Sequence, residues 1–121
     1  METALRVLVP DVDQALPAWQ GLGYQVRDRW GPPFAILTGP GIEVWLSGPK
    51  TSAALICEGL DATTRAAAST RLVTISDTFD AQVSHLRAAG WACITAERSG
   101  PGGRQVLLQH GHTVIECFGP G

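Results

Sequence analysis

The chain has 121 residues, 45% of them hydrophobic, which fits one folding unit with an ordinary core. Nine basic residues against eleven acidic ones, with no run of either sign, give no electrostatic footprint for nucleic acid or an anionic membrane, so a small molecule is the expected partner. The opening METALRVLVPDVD has acids within a dozen residues and no long apolar run; neither a signal peptide nor a spanning helix is expected, and a cytoplasmic location follows.

Leu5 to Val9 alternates in the manner of a strand, and Asp11 and Gln14 follow at capping-box spacing. Val12, Leu16 and Trp19 then fall on one helical face until Gly21 and Gly23 stop the helix. Pro17 fits this helix only if it starts late, near Asp13 or beyond. Two strand-like runs follow, joined by Trp30-Gly-Pro-Pro33, and the half closes on Gly41-Ile-Glu-Val-Trp-Leu-Ser47. Lys50 to Ser69, rich in Ala, Thr and Ser, reads as a linker with a short strand at Ala53 to Cys57, long enough for the halves to pair within one chain or across two.

The order then repeats. Leu72 to Ile75 is strand-like, Asp77 is the expected cap, Phe79, Val83 and Leu86 share a helical face, and Gly90 stops the helix. A Gly-rich loop, Ser99 to Gly103, leads to a second acid-bearing strand, Thr113-Val-Ile-Glu-Cys-Phe118. The offset between halves drifts, which indicates a diverged duplication and not a solenoid period. Cys57, Cys93 and Cys117 are odd in number and lack a C-x-x-C, so they read as reduced, packed thiols.

A βαβββ unit given twice, with Val9-Pro-Asp11 before the first helix, Leu22-Gly-Tyr24 after it and Ile-Glu in each closing strand, resembles the vicinal oxygen chelate superfamily. That group includes glyoxalase I, extradiol dioxygenases and the bleomycin resistance proteins. The resemblance covers nearly the whole chain and implies an α+β fold: module 1 at about 1–49, a linker at about 50–69 and module 2 at about 70–121. Together the modules would form a curled mixed sheet around a concave pocket, usually in a homodimer.

Strand parity places side chains within that picture. Glu43 shares a face with Trp45 and Ser47, Glu116 with Val114 and Phe118, and Arg6 with Ala4 and Leu8. In the metal-dependent members each module supplies a Glu from its last strand and a ligand, commonly His, seven residues before the capping Asp. Here the Glu positions are Glu43 and Glu116, but the partners are Ala4, which has no donor atom, and Thr70, a poor ligand for Zn, Ni or Fe. No metal and no cofactor are therefore expected. His110 and His112 fall in a hairpin turn before the last strand, and His85 lies off its helix's apolar stripe. Neither a phosphate-binding loop nor a nucleophile elbow is present.

The expected ligand-binding set is Arg6, Trp30, Phe34, Glu43, Trp45, Glu116 and Phe118, with Trp30 and Phe34 on a rim hairpin. Aromatic walls suit a planar ligand, and two carboxylates favour a cationic one. The competing reading of these residues is that Trp45 and Phe118 fill the core while Arg6 pairs with a Glu. The resemblance favours a metal-free binding protein that sequesters a natural product, as in antibiotic resistance or self-resistance. One alternative is a metal-independent enzyme using Glu43 or Glu116, its pKa raised by an apolar wall, as general acid or base. Another is a metal-dependent glyoxalase-like or dioxygenase-like enzyme with displaced ligands.

Overall fold

The computed structural model describes residues 2–120. Module 1 consists of β1 (Glu2–Leu8), α1 (Val12–Gly21), β2 (Gln25–Trp30), β3 (Phe34–Thr38) and β4 (Glu43–Ser47). Two short helices follow, α2 (Ser52–Leu55) and α3 (Ala62–Ala68). Module 2 has β5 (Thr70–Ile75), α4 (Phe79–Ala88), β6 (Ala92–Cys93), β7 (Arg98–Gly100), β8 (Gly103–His110) and β9 (Thr113–Pro120). All nine strands form one mixed sheet in the order β2-β3-β4-β1-β5-β9-β8-β6, with β7 also on β8. The modules meet at an antiparallel β1–β5 seam in which Leu5 faces Leu72 and Arg6 faces Arg71. They pair within a single chain.

Alternation decides which side each residue serves. Leu5, Val7, Val9, Val44 and Leu46 pack on Val12, Leu16 and Trp19 of α1, as their spacing predicts. Phe79, Val83 and Leu86 of α4 cover Val106, Leu108, Ile115 and Cys117 in the same way. Both long helices therefore lie on the convex side. Tyr24 locks the first module's turn, its hydroxyl lying 3.1 Å from the carbonyl of Pro40 and 2.9 Å from that of Ile42.

Three local expectations are corrected. Helix α1 starts at Val12, with Asp11 Oδ1 accepting from the Gln14 N–H, so Pro17 is inside the helix and not in its first turn. Pro17 and Asp13 are both exposed, which leaves the unbonded Asp13 carbonyl open to water. Asp77 does not cap α4: Thr78 holds that position without a side-chain cap bond, and the Ser76 hydroxyl accepts from the Thr78 N–H instead. Cys93 is exposed, because its two-residue strand is the sheet's outer edge; only Cys57 and Cys117 are packed.

The segment expected as a linker with a strand is helical and packs against the sheet. Thr51 and Asp61 side chains cap α2 and α3 by accepting from the Ala54 and Thr64 N–H groups. Alanine-rich sequence between caps favours helix over strand. Ile56, Cys57 and Ala68 then bury against Leu8, Leu107 and Val114, all on the face opposite α1 and α4. Residues 50–69 thus fill one end of the concave side.

The β8 start is held by close backbone approach. A Cβ at Gly103, whose φ is +143°, would collide with the Gly119 carbonyl oxygen and lie 3.0 Å from Pro120 Cα. Gly103→Ala should therefore cost on the order of 2–3 kcal/mol in urea unfolding. Gly21→Ala, at a helix end with nothing within 4 Å, should be neutral or stabilising. Equal stability of the two variants would contradict this packing.

Candidate functional site

Register places the two glutamates in one row across the concave face. Glu43 pairs with Ala4 on the neighbouring parallel strand, Ala4 pairs with Val73 across the seam, and Val73 pairs with Glu116. The residue matching Ala4 in module 2 is thus Val73. Thr70 pairs with Val7 and stands on the opposite face, so the spacing from Asp77 pointed to the wrong position. The next row runs Trp45, Arg6, Arg71.

Short side chains at Ala4 and Val73 leave room for both arginines to reach Glu116. Arg6 donates from Nε to Oε1 at 3.2 Å and from Nη2 to Oε2 at 2.8 Å. Arg71 donates from Nε to Oε1 at 2.9 Å, with its Nη2 2.8 Å from the same oxygen. The remaining donors are also satisfied. Arg6 Nη1 reaches Ser47 Oγ at 3.1 Å, while Arg71 reaches the Ala53 carbonyl of α2 and the Ala68 carbonyl of α3, both at 2.9 Å. Arg71 Nη1 also lies 3.4 Å from Cys57 Sγ. Arg71 and Glu116 are fully buried, and Arg6 is 3% exposed.

Two guanidinium groups and one carboxylate leave one positive charge in excess. Helix carbonyls answer part of it, and the Arg6 guanidinium sits 4.9 Å from the Trp45 ring centre and 5.8 Å from that of Phe34. Burial by itself would push the Glu116 carboxyl up, but the Arg6 and Arg71 charges and hydrogen bonds outweigh it and hold the pKa below the ordinary carboxylate value. The acid–base alternative calls for a raised pKa, and the shift at Glu116 runs in the opposite direction.

Glu43 is committed elsewhere. Arg27 Nη1 donates to its Oε2 at 2.7 Å, and Trp45 Nε1 donates to its Oε1 at 2.7 Å. Both carboxylates are matched by the chain's own donors, which removes the reason to expect a cationic ligand.

The aromatic members form a continuous row. Trp30 stacks on Phe34 with ring centres 5.3 Å apart, Phe34 meets Trp45 edge-on at 6.2 Å, and Trp45 meets Phe118 edge-on at 5.4 Å. Their base is Ala4, Ile36, Val73 and Ile75. Trp45 is buried, Phe34 and Phe118 are half-buried, and Trp30 is 53% exposed at the outer end. All seven residues expected from the sequence thus lie on one face, but the charged ones serve an internal ion cluster.

Parity could not find Arg71, because it precedes the run that read as a strand; its alternation with Val73 was the available signal. His110 and His112 are exposed around the β8–β9 turn, and His85 is exposed on α4. A metal centre does not fit this donor set. Ala4 and Val73 offer no ligand atoms and both carboxylates are engaged. Among the described residues no group of three or more His, Cys, Asp or Glu is placed to hold an ion.

Glu116→Gln should lower stability by about 3–5 kcal/mol, because it leaves two buried cations underpaired. The Glu116 pKa is depressed on folding, so its contribution is complete above the unfolded value, about 4.3, and is lost as pH falls through the lower folded value. Urea midpoints at pH 7 and pH 3 check both points: wild type loses stability in acid, and the variant lacks that component. A variant as stable as wild type at pH 7 would contradict the cluster's role.

No sequence-family model matches the chain, and no curated protein matches it. Solved structures do. A Legionella pneumophila protein described as an NAD-dependent benzaldehyde dehydrogenase aligns with a TM-score of 0.75 at 11% identity, over 98% of this chain and 99% of its own. A glyoxalase/bleomycin resistance protein/dioxygenase superfamily member from Vibrio splendidus aligns at 0.58 and 14% identity, over 96% of each chain. Methylmalonyl-CoA epimerase from Mycobacterium tuberculosis aligns at 0.56 and 19%, over 99% of this chain and 86% of its own. At these identities the likeness establishes architecture: the chain has the glyoxalase/bleomycin resistance fold.

Proposed function

We propose that this protein binds a flat, largely apolar small molecule along the Trp30–Phe34–Trp45–Phe118 row and sequesters it without metal chemistry. The observation that carries the reading is the aromatic row itself, running from exposed Trp30 through half-buried Phe34 and buried Trp45 to half-buried Phe118 on the concave face. Ring faces recognise planar molecules by stacking, with roughly 0.5–1.5 kcal/mol per contact beyond buried area. The engagement of Glu43 and Glu116 by the chain's own donors favours a neutral ligand over a cationic one. It also weighs against acid–base catalysis by Glu116, which is held ionised with its oxygens engaged. Protection by sequestration, as in resistance to a toxic natural product, is the biological role this implies.

The test is an NMR titration with a panel of planar aromatics including indole, quinoline and anthraquinone compounds. Saturable shifts at the Trp30 and Trp45 indole N–H groups are expected, with the compounds recovered unchanged. Trp30→Ala, a substitution at the exposed rim, should weaken binding by about 0.5–1.5 kcal/mol and leave melting unaltered. Shifts confined to the convex face would contradict the proposed site, and recovery of a modified product would support the enzyme alternative.

A further inference from the structure

On the concave face nearly every polar group is answered within the chain: Glu116 by two arginines, Ser47 by Arg6, and Glu43 by Arg27 and the Trp45 indole. Gln105 differs. It stands on β8 directly opposite Phe118 of β9 and Arg98 of β7, two residues before Leu107, which itself faces Glu116. It is 6% exposed, and its Oε1 is buried without a hydrogen-bond partner, the sole buried side-chain oxygen or nitrogen of that kind among the described residues. A buried amide carbonyl left unpaired is destabilising, and Leu at this position would occupy similar volume without that penalty.

We propose that Gln105 is the polar anchor of the aromatic site, its Oε1 accepting a hydrogen bond from an N–H or O–H at the inner end of a flat ligand. The inference rests on the binding reading above and narrows it. The ligand class is an aromatic heterocycle or lactam with a donor in its ring plane. Phe118, next to Gln105 in register and edge-on to Trp45, supplies the apolar contact beside the anchor. A site built around an unpaired acceptor discriminates against analogues that lack the donor, because they leave the acceptor buried and unmatched.

Indole and 1-methylindole differ in that donor, and NMR titration of wild type and Gln105→Leu with both probes tests the assignment. Wild type should bind indole about fivefold more tightly than 1-methylindole, in line with one neutral hydrogen bond. Gln105→Leu should erase the preference by losing affinity for indole only, with a melting temperature equal to or above wild type. Gln105→Met serves if the Leu variant does not fold. Equal wild-type affinity for the two probes, with both in the aromatic row, overturns the anchor and leaves the binding site standing. So does a preference that persists in the variant. Failure of both probes to shift the row at all overturns the anchor together with the binding reading.

Discussion

Two guanidinium groups lie directly opposite each other across the central strand pair, and a single carboxylate from a third strand reconciles them. Arg6 and Arg71 face each other in the β1–β5 ladder, where like charges are ordinarily destabilising. Glu116 receives both, and the carbonyls of Ala53 and Ala68 complete the coordination of Arg71. The seam that joins the modules therefore depends on β9 and on the two short helices as much as on its own backbone bonds. This explains why residues 50–69 are ordered against the sheet: their carbonyls accept donors that would otherwise be buried and unpaired.

The same cluster divides the concave face. One end is covered by α2 and α3 over Leu8, Leu107 and Val114; the other retains the aromatic row over Ala4, Ile36 and Val73. Between them lies an ion cluster whose donors and acceptors are filled by the chain itself. Chemistry at that position would require unpairing a buried carboxylate. Stacking on the rings requires nothing of the kind, which is the physical reason for favouring binding over catalysis.

Much of this was legible in the sequence. Period-two alternation gave the faces of β1, β4 and β9, and helical spacing gave the buried stripes of α1 and α4, because in each case one periodic face meets one core. The repeated order of elements gave the two-module architecture. Features set by contacts distant in sequence were harder to find. Arg71 and Glu116 are 45 residues apart, and nothing local marks them as partners. The helices in 50–69 are short, and their alanines bury against a face whose identity only the assembled sheet defines. Ala4 was found by counting back seven residues from Asp11, whereas Val73 stands only five residues before Thr78, the N-cap of α4, so the same count misses it. Gln105 sits within an otherwise apolar run, a signal that gains meaning only once its carbonyl is found without a partner.

With Glu116 engaged by Arg6 and Arg71, Glu43 by Arg27 and Trp45, and no donor atom at Ala4 or Val73, this face offers no ligand set for a metal ion. Elemental analysis of protein purified without chelator, combined with melting curves in the presence and absence of EDTA, tests it most directly. Zn, Ni, Mn and Fe far below one equivalent per chain and a melting temperature unaffected by EDTA are expected. Near-equimolar metal, removed by chelator with a fall in melting temperature, would contradict it.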